Sequence, residues 1–598
     1  MRDLLARALG RAWRAWPVAV LVAGGTLPIA RVLADPLHRL PGGARTDVYK
    51  HVWSYWHTLR TLGDGWPWTP YLNAPGGGYL LDVMLVPSLL LAPVTWLLGV
   101  AAAANLWVWL SLVATGLSTW ALCREVTGSD LGGVVGGLLA QTAPYLLAYP
   151  LYSGVHERLS VWAFPLVLLG LLRLRAGRSW GWIPVLVGVF ALTSAGCAIH
   201  GYIAGLVCLL AAPLFVPLPV DGRSWRDGWR PALRAGLGVA LTLGCFVLVL
   251  HLDFRWYQWG SYHPWTLSYQ GDWIQKWHGL PQRDTLATLP ALLLPEAVRY
   301  TTASLTNDEL YRICFLGQVP LGAALAGLLA ARRHQRFRVA WIVLVGLFLS
   351  FLALGPSFEW RGRFYSSPPF VWLAGVLPYF GVRVTHWQLV AAFAPLSAVG
   401  VAALVGRPDR RWLRVLIALG VLVAATAERV RALPFPLLLP AASARVSPIY
   451  DAVLPDGGLV EVPRFWRGTE LTPGILFLAQ TVHERPIPIT VNINQTVWDN
   501  VPLLRDGISG AWPMVAMALR RSGFRWIVVH RSWFLRPGPA DTCLRALRML
   551  LGPPVAETED EALFDLSVLP VEPDPTLVWP PGHFPSEMGK MPAGSVGW

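Results

Sequence analysis

Apolar runs long enough to cross a bilayer recur along this chain, and short basic segments separate them. The runs cover residues 17–34, 101–122, 131–149, 159–176, 182–198, 202–218, 234–252, 313–331, 338–354, 386–405 and 412–432. A hydrocarbon core about 30 Å thick takes about 20 residues of helix, so the pattern predicts about eleven spans. In lipid every backbone N–H and C=O must bond within its own segment or a closed barrel, so runs of this length are helices. Composition agrees, since 54% of the 598 residues are hydrophobic and 14% charged, against about 25% charged in soluble domains. The expected fold is mostly α, a polytopic transmembrane helical bundle.

The net charge of +14 raises the question of nucleic acid, and the placement of the charge excludes it. The basic residues lie in short segments between runs: "CREVTGSD", "RLRAGRS", "DGRSWRDGWRPALR", "RRHQRFR" and "GRPDRRWLR". With a cytoplasmic N-terminus all five fall inside, as the positive-inside bias requires. The parity holds only if the further apolar stretch 79–99 does not cross. Asp82, Pro87 and Pro93 weaken it as a lipid-exposed helix, so it is placed in the outer interface. The outer side then holds loops 35–100, 253–312 and 355–385, the turn 149–158, and everything after 433. The N-terminus resembles a signal peptide with "VLA" before Asp35, but Arg31 interrupts it, and a retained first helix is expected. The 32 Trp residues suit membrane interfaces. The six Cys show no metal-ligand spacing and predict no disulfide framework.

Beyond the last run the pattern changes. "DGGLVEVPRF", "RPIPITVNIN", "GFRWIVVHRSWF" and "DEALFDLSV" are short β-type runs between turn signals, and "TCLRALRMLLG" reads as a helix ending at Gly552. The chain therefore divides into a transmembrane domain (1–433), a small extracytoplasmic α/β domain (434–570) and a Pro-rich disordered tail (571–598). No internal repeat of fixed period is evident.

An acidic residue follows the first run in "ARTDVYKHVW". It is followed by "PYLNAPGGG" (70–78) and by the long segment "LCREVTGSDLGGVVGGLLAQTAPYLLAYPLYSGVHERLSVWAFPLVLLGLLRL" (122–174). Later come "LPYFGVRVTHWQLVAAFAPLSAVGVAAL" (377–404), "LAQTVHERPIP" and "GFRWIVVH". In this order the segments resemble the GT-C glycosyltransferases, in particular the polytopic membrane proteins termed YfhO-like. The paired first-loop acids of that group are here the single Asp47, and His386 stands where the arginine segment has its second Arg.

The resemblance implies transfer of a sugar from a polyprenyl-phosphate donor to an acceptor outside the cytoplasm, an envelope glycan, a lipid or a protein. No further cofactor is implied. It also implies an integral protein of the bacterial inner (plasma) membrane. Such transfer needs a base for the acceptor hydroxyl and a cation for the departing phosphate. A carboxylate at the bilayer surface gains basicity on desolvation, and Asp47 is the candidate base; a helix N-cap is the other reading of the same residue. Arg383, with His386 as a second donor, is the candidate phosphate ligand, since guanidinium grips phosphate oxygens through paired bonds; interfacial snorkelling is the alternative. His156 and Arg158 in "SGVHER" are candidate substrate-binding residues, and a structural histidine remains open for the first. No metal site is expected, and neither a P-loop nor a dinucleotide fingerprint is present. Two other classes stay open. A non-catalytic envelope protein could keep the scaffold. A lipid or glycan transporter fits less well, because the run centres carry almost no ionisable residues.

Overall fold

The computed structural model describes residues 15–43, 46–62, 84–176, 179–214, 315–355, 363–376, 386–463, 474–488 and 512–571. It also describes short pieces within 68–79, 233–248, 292–293 and 357–360. Most of the expected span 234–252, most of loop 253–312, Arg383 and the tail after residue 571 lie outside the described residues. The described residues up to Thr58 and between residues 83 and 445 form one compact unit, and residues 59–82 join those from Val446 onward in a second.

The first unit is helical. Among the described residues three helices are long and apolar enough to cross a membrane, Val100–Thr127, Asp130–Tyr152 and Gln388–Gly406. Shorter apolar helices cover Ala15–Ile29 (α1), Trp182–Gly196, Ile199–Leu210 and Gln318–Ala330. Several expected spans are composite, which is why their α-helical parts are short. The run expected at 159–176 is a 3-10 segment, His156–Trp162, kinked at Ser160, followed by an α-helix, Ala163–Arg175. The stretch 79–99 contains two helices of six and seven residues, Leu85–Leu90 (α3) and Ala92–Leu98 (α4). Each rises only about 10 Å, and a turn at Leu91 separates them.

Glycine spacing sets how closely the bundle packs. The helix Asp130–Gln141 (α6) starts at an N-cap, with Ser129 Oγ accepting from Gly132 N at 3.0 Å. It carries the sequence "GGVVGG", and each pair of glycines faces a different neighbour. A Cβ on Gly132 would stand 2.6 Å from the Ala402 carbonyl oxygen, and one on Gly136 2.9 Å from the Ala398 Cβ. Both partners lie on the helix Phe393–Gly406 (α12). Gly133 and Gly137 would instead meet Trp120 and the Gly116 carbonyl, each at 2.7 Å, on the helix Val100–Thr127 (α5). Without a hydrophobic drive between helices in lipid, such small-residue seams let backbones approach and gain dispersion. Buried polar groups add fixed points. Gln141 Nε2 donates to the carbonyls of Leu21 on α1 (2.8 Å) and Leu112 on α5 (3.0 Å). Arg429, on the helix Arg411–Ala432 (α13), donates to the Leu139 carbonyl at 3.0 Å and to Thr142 Oγ1, covering the open end of α6.

The basic segments gather at one end of this unit. Glu125 pairs with Arg173 at 3.2 Å, Gln335 Nε2 donates to the Thr127 carbonyl at 3.2 Å, and Arg234 lies 4.8 Å over the Trp180 ring. A Cβ on Gly406 would stand 2.8 Å from Ser129. These contacts join residues in or next to all five basic segments. At the other end Arg39–Pro41 (β1) pairs antiparallel with Ala441–Ser443 (β2).

The second unit is built on a four-stranded sheet. Gly458–Val462 (β3) runs parallel to Phe524–His530 (β4). Glu561–Asp565 (β6) lies antiparallel on the other side of β4, and Ala556–Glu557 (β5) forms the edge. Helices Ile475–His483 (α14) and Trp512–Arg521 (α15) fall between the parallel strands in sequence, as such a crossover needs. The helix Pro537–Leu551 (α16) ends at Gly552, whose φ of 83° suits glycine. Ile527, Val529, Leu544, Leu547 and Phe564 lie in the core of this unit. Tyr71 and Ala74 belong here too: Gln480 Nε2 donates to the Tyr71 carbonyl at 2.7 Å, and Ala74 N to the Ile487 carbonyl at 3.1 Å.

Candidate functional site

The site forms where the first loop lies on the turn after α6. Past Gln141 the chain continues as Pro144–Leu146 and then as a π-helical turn, Leu147–Tyr152, with Pro150 inside it. Proline has no N–H to give, and the bonding slips by one residue, with Ser153 N donating to the Ala148 carbonyl at 3.0 Å. Gly154 then takes φ 71°. A Cβ there would stand 2.8 Å from Val48 Cγ2, and one on Gly42 would stand 2.8 Å from the Leu151 carbonyl. Gly43 N donates to the Tyr152 carbonyl at 2.9 Å. Glycines on both segments thus seat the first loop directly against the turn.

Asp47 opens the amphipathic helix Val48–Thr61 (α2), and its carbonyl accepts from His51 N at 3.1 Å. It therefore stands at the N-cap position, half-buried. Its charge acts on the Tyr149 hydroxyl together with those of Arg158 and Glu157. One turn on, the ring of His51 lies 6.4 Å from that of His156. Burial pushes the His156 imidazole down to about 3. Burial also holds His51 well below the usual range, with Lys50, His156 and Arg158 adding to it. Both rings are neutral at physiological pH. The two ring nitrogens of His156 are buried with no hydrogen-bond partner, while Trp107 Nε1 donates to its carbonyl at 3.3 Å.

Arg158 supplies the cation. Its Nη2 meets Glu157 Oε1 at 2.7 Å and its Nη1 meets Cys197 Sγ at 2.9 Å, and its buried Nε has no partner. Cys197 caps the helix Ala198–Leu210 (α9) and accepts from His200 N at 3.4 Å. The structure thus brings Asp47, His156 and Arg158 together, with His51, Tyr149 and Cys197 as members the sequence reading did not select. Arg383 lies outside the described residues. His386 begins a 3-10 turn, His386–Ala392, that packs on Pro144–Leu146 and on α9. Among the described residues no group of three His, Cys, Asp or Glu side chains is placed to hold a metal ion.

The two turns share a pattern that the sequence reading passed over. "HERLSVWAFPLVLLG" (156–170) and "HWQLVAAFAPLSAVG" (386–400) agree at His, Leu, Pro, Leu and Gly. Both form a seven-residue 3-10 turn, then an α-helix with Pro at its third residue. The missing N–H of Pro costs nothing there, because first-turn donors have no intrahelical acceptor. Gly170 and Gly400 each let a neighbouring helix approach. Both turns also touch α9.

The helical first unit, with its first loop folded onto one end, has the fold of the GT-C glycosyltransferases. Comparison with solved structures gives this likeness. The arabinofuranosyltransferase AftD from Mycobacteria superposes with a TM-score of 0.53 at 16% identity over 94% of this chain and 40% of its own. The oligosaccharyltransferase AglB from Archaeoglobus fulgidus, in complex with an inhibitory peptide and a dolichol-phosphate, gives 0.47 at 13% identity over 88% and 72%. ArnT from Cupriavidus metallidurans, bound to undecaprenyl phosphate, gives 0.39 at 14% identity over 94% and 99%. AftD carries the likeness in fold, and the chain spans 40% of its length. No protein-family model and no curated protein matches the sequence.

Proposed function

We propose that the chain is an integral glycosyltransferase of the YfhO-like kind in the bacterial plasma membrane, with about eleven spans and its C-terminal α/β domain outside the cytoplasm. It moves a sugar from a polyprenyl-phosphate donor to an envelope glycan, lipid or protein. One observation carries the reading: a carboxylate, two neutral imidazoles and a guanidinium meet at one end of the first unit. The helix Ala163–Arg175 starts at that cluster and ends in the basic residues Arg173 and Arg175, which supports a trans-side position for the cluster.

In this reading Asp47 takes the acceptor's hydroxyl proton as the new bond to the anomeric carbon forms. The bond from that carbon to the phosphate oxygen breaks, and the polyprenyl phosphate leaves with the electron pair. Arg158 steadies the departing phosphate through its unpartnered Nε, with Arg383 and His386 as further ligands, and His156 orients the sugar. Removing a working base costs about 10²–10⁴-fold in rate. Asp47→Asn should lower transfer of labelled sugar from polyprenyl-phosphate donors by that much in reconstituted membranes. Folding should survive, because Asn caps helices about as well as Asp. Unchanged transfer in Asp47→Asn removes Asp47 from this role. A non-catalytic envelope protein on the same scaffold is the second reading, favoured by the Glu157 partner that already balances Arg158.

A further inference from the structure

A second cluster lies in the second unit, in a cleft of ≈ 340 Å³ lined in part by Tyr450, Asp451, His483, Glu484 and Arg485. That volume is in the range of about 300–1,000 Å³ usual for small-molecule sites. His483 is 5% exposed, and its ring stacks on Tyr450 with centroids 5.3 Å apart. Arg485 N donates to His483 Nδ1 at 2.9 Å. Burial, aided by Arg485, pushes the imidazole down to about 3, so the ring is neutral with its one proton on Nε2. That Nε2–H is buried without a partner. A buried donor left unpaired is costly, and a ligand oxygen that reaches it from the cleft would satisfy it.

The rest of the lining selects the ligand's chemistry. Arg485 places a half-buried guanidinium beside His483, its Nε donating to the His483 carbonyl at 2.9 Å. Asp451 and Glu484 bring two carboxylates to the same cleft. Glu484 also pairs with Arg60 at 3.0 Å, and among the described non-glycine residues it alone has a positive φ, 52°. Glycine is usual at this position past a helix end, so a carboxylate is kept where the backbone prefers no side chain. The lining holds both donors and acceptors, and the two carboxylates repel an anion. A polyol, which both gives and takes hydrogen bonds and carries no charge, fits both requirements.

We propose that this cleft is a saccharide-binding subsite that takes one or two neutral sugar residues, with His483 and Arg485 donating to sugar oxygens and Asp451 and Glu484 accepting from sugar hydroxyls. That these sugars belong to the acceptor glycan rests on the function proposed above; the binding itself does not.

The test is titration of the full chain in nanodiscs with neutral di- to tetrasaccharides of arabinose, galactose, glucose and mannose, read by saturation-transfer NMR. At least one should bind saturably. His483→Phe keeps the stack on Tyr450 and removes the donor, and should weaken binding about tenfold. Arg485→Gln is the second variant, with a smaller loss in the same direction, should the first fail to fold. Wild-type affinity in both variants, no saturable binding across the panel, or tighter binding of sugar phosphates than of neutral sugars overturns the subsite. Transfer measured alongside separates the two readings. Binding without any transfer leaves the subsite and removes the transferase. Transfer with an acceptor KM unmoved by His483→Phe leaves the transferase and removes the assignment of these sugars to the acceptor.

Discussion

Gly327→Ala tests whether glycine seams hold the bundle together. Gly327 lies on the helix Gln318–Ala330 (α10), facing Gly400 of α12. A Cβ at Gly327 would stand 2.5 Å from the Gly400 carbonyl carbon and nearer still to its oxygen. Both obstacles are backbone, so no side chain can turn away and the helices must part by at least about 1 Å to reach ordinary contact. A gap of that size forfeits a quarter to a half of each dispersion contact along the seam, and overpacking of this kind costs about 1–3 kcal/mol. Alanine recovers about 1 kcal/mol of helix propensity, leaving a net loss of about 0–2 kcal/mol. Gly322 on the same helix is the control, since a Cβ there meets nothing within 4 Å. Gly322→Ala should therefore gain about 1 kcal/mol. Reversible unfolding in mixed micelles should separate the two variants by about 1–3 kcal/mol. Equal stability would show that α10 and α12 do not meet at this seam.

Three further outcomes follow from the same geometry. Glu461, buried on β3 and accepting from the Tyr450 hydroxyl at 2.6 Å, is pushed up to about 8 mainly by burial. Stability it favours is fully present below about 4.5, the unfolded carboxyl, and is lost as pH rises toward 8. Glu461→Gln should flatten that fall, worth about 2–4 kcal/mol by pH 7, in thermal unfolding followed across pH; an unchanged profile refutes it. His156→Leu should leave stability within about 1 kcal/mol of wild type, because an unpartnered imidazole gives way to an apolar side chain, while transfer falls; equal transfer makes His156 structural. Cysteine placed at Leu454 should label from outside in intact cells and cysteine at Arg407 only after permeabilisation; the reverse overturns the topology.

How much of this was legible in sequence depended on the range of the interaction. The GT-C resemblance rested on ordered segments, and the fold agrees with it. The basic segments marked the helix ends that gather together, because charge and hydropathy act locally. The composite helices were not legible as such: Pro165 and Pro395 sit inside apolar runs, and hydropathy does not distinguish a 3-10 turn from an α turn. The matched His-to-Gly patterns were readable in principle, as two spaced His, Leu, Pro, Leu and Gly sets, but search for a fixed period passes over a pair set far apart. Asp47, His156 and Arg158 were selected as residues, whereas Cys197 joined them only through the fold, because its Sγ contact with Arg158 leaves no local pattern. The grouping of residues 59–82 with the second unit depends on hydrogen bonds such as Gln480 to Tyr71, which composition does not reveal.

The most direct test of the central claim is an experimental structure of the full chain with a polyprenyl phosphate bound. The account predicts the phosphate within about 3 Å of Arg158 Nε, on the same end of the bundle as Asp47, with His156 lining the space beside it. A phosphate held at the end where Glu125 and Arg173 pair, or one that leaves Arg158 Nε buried and unpartnered, would contradict it.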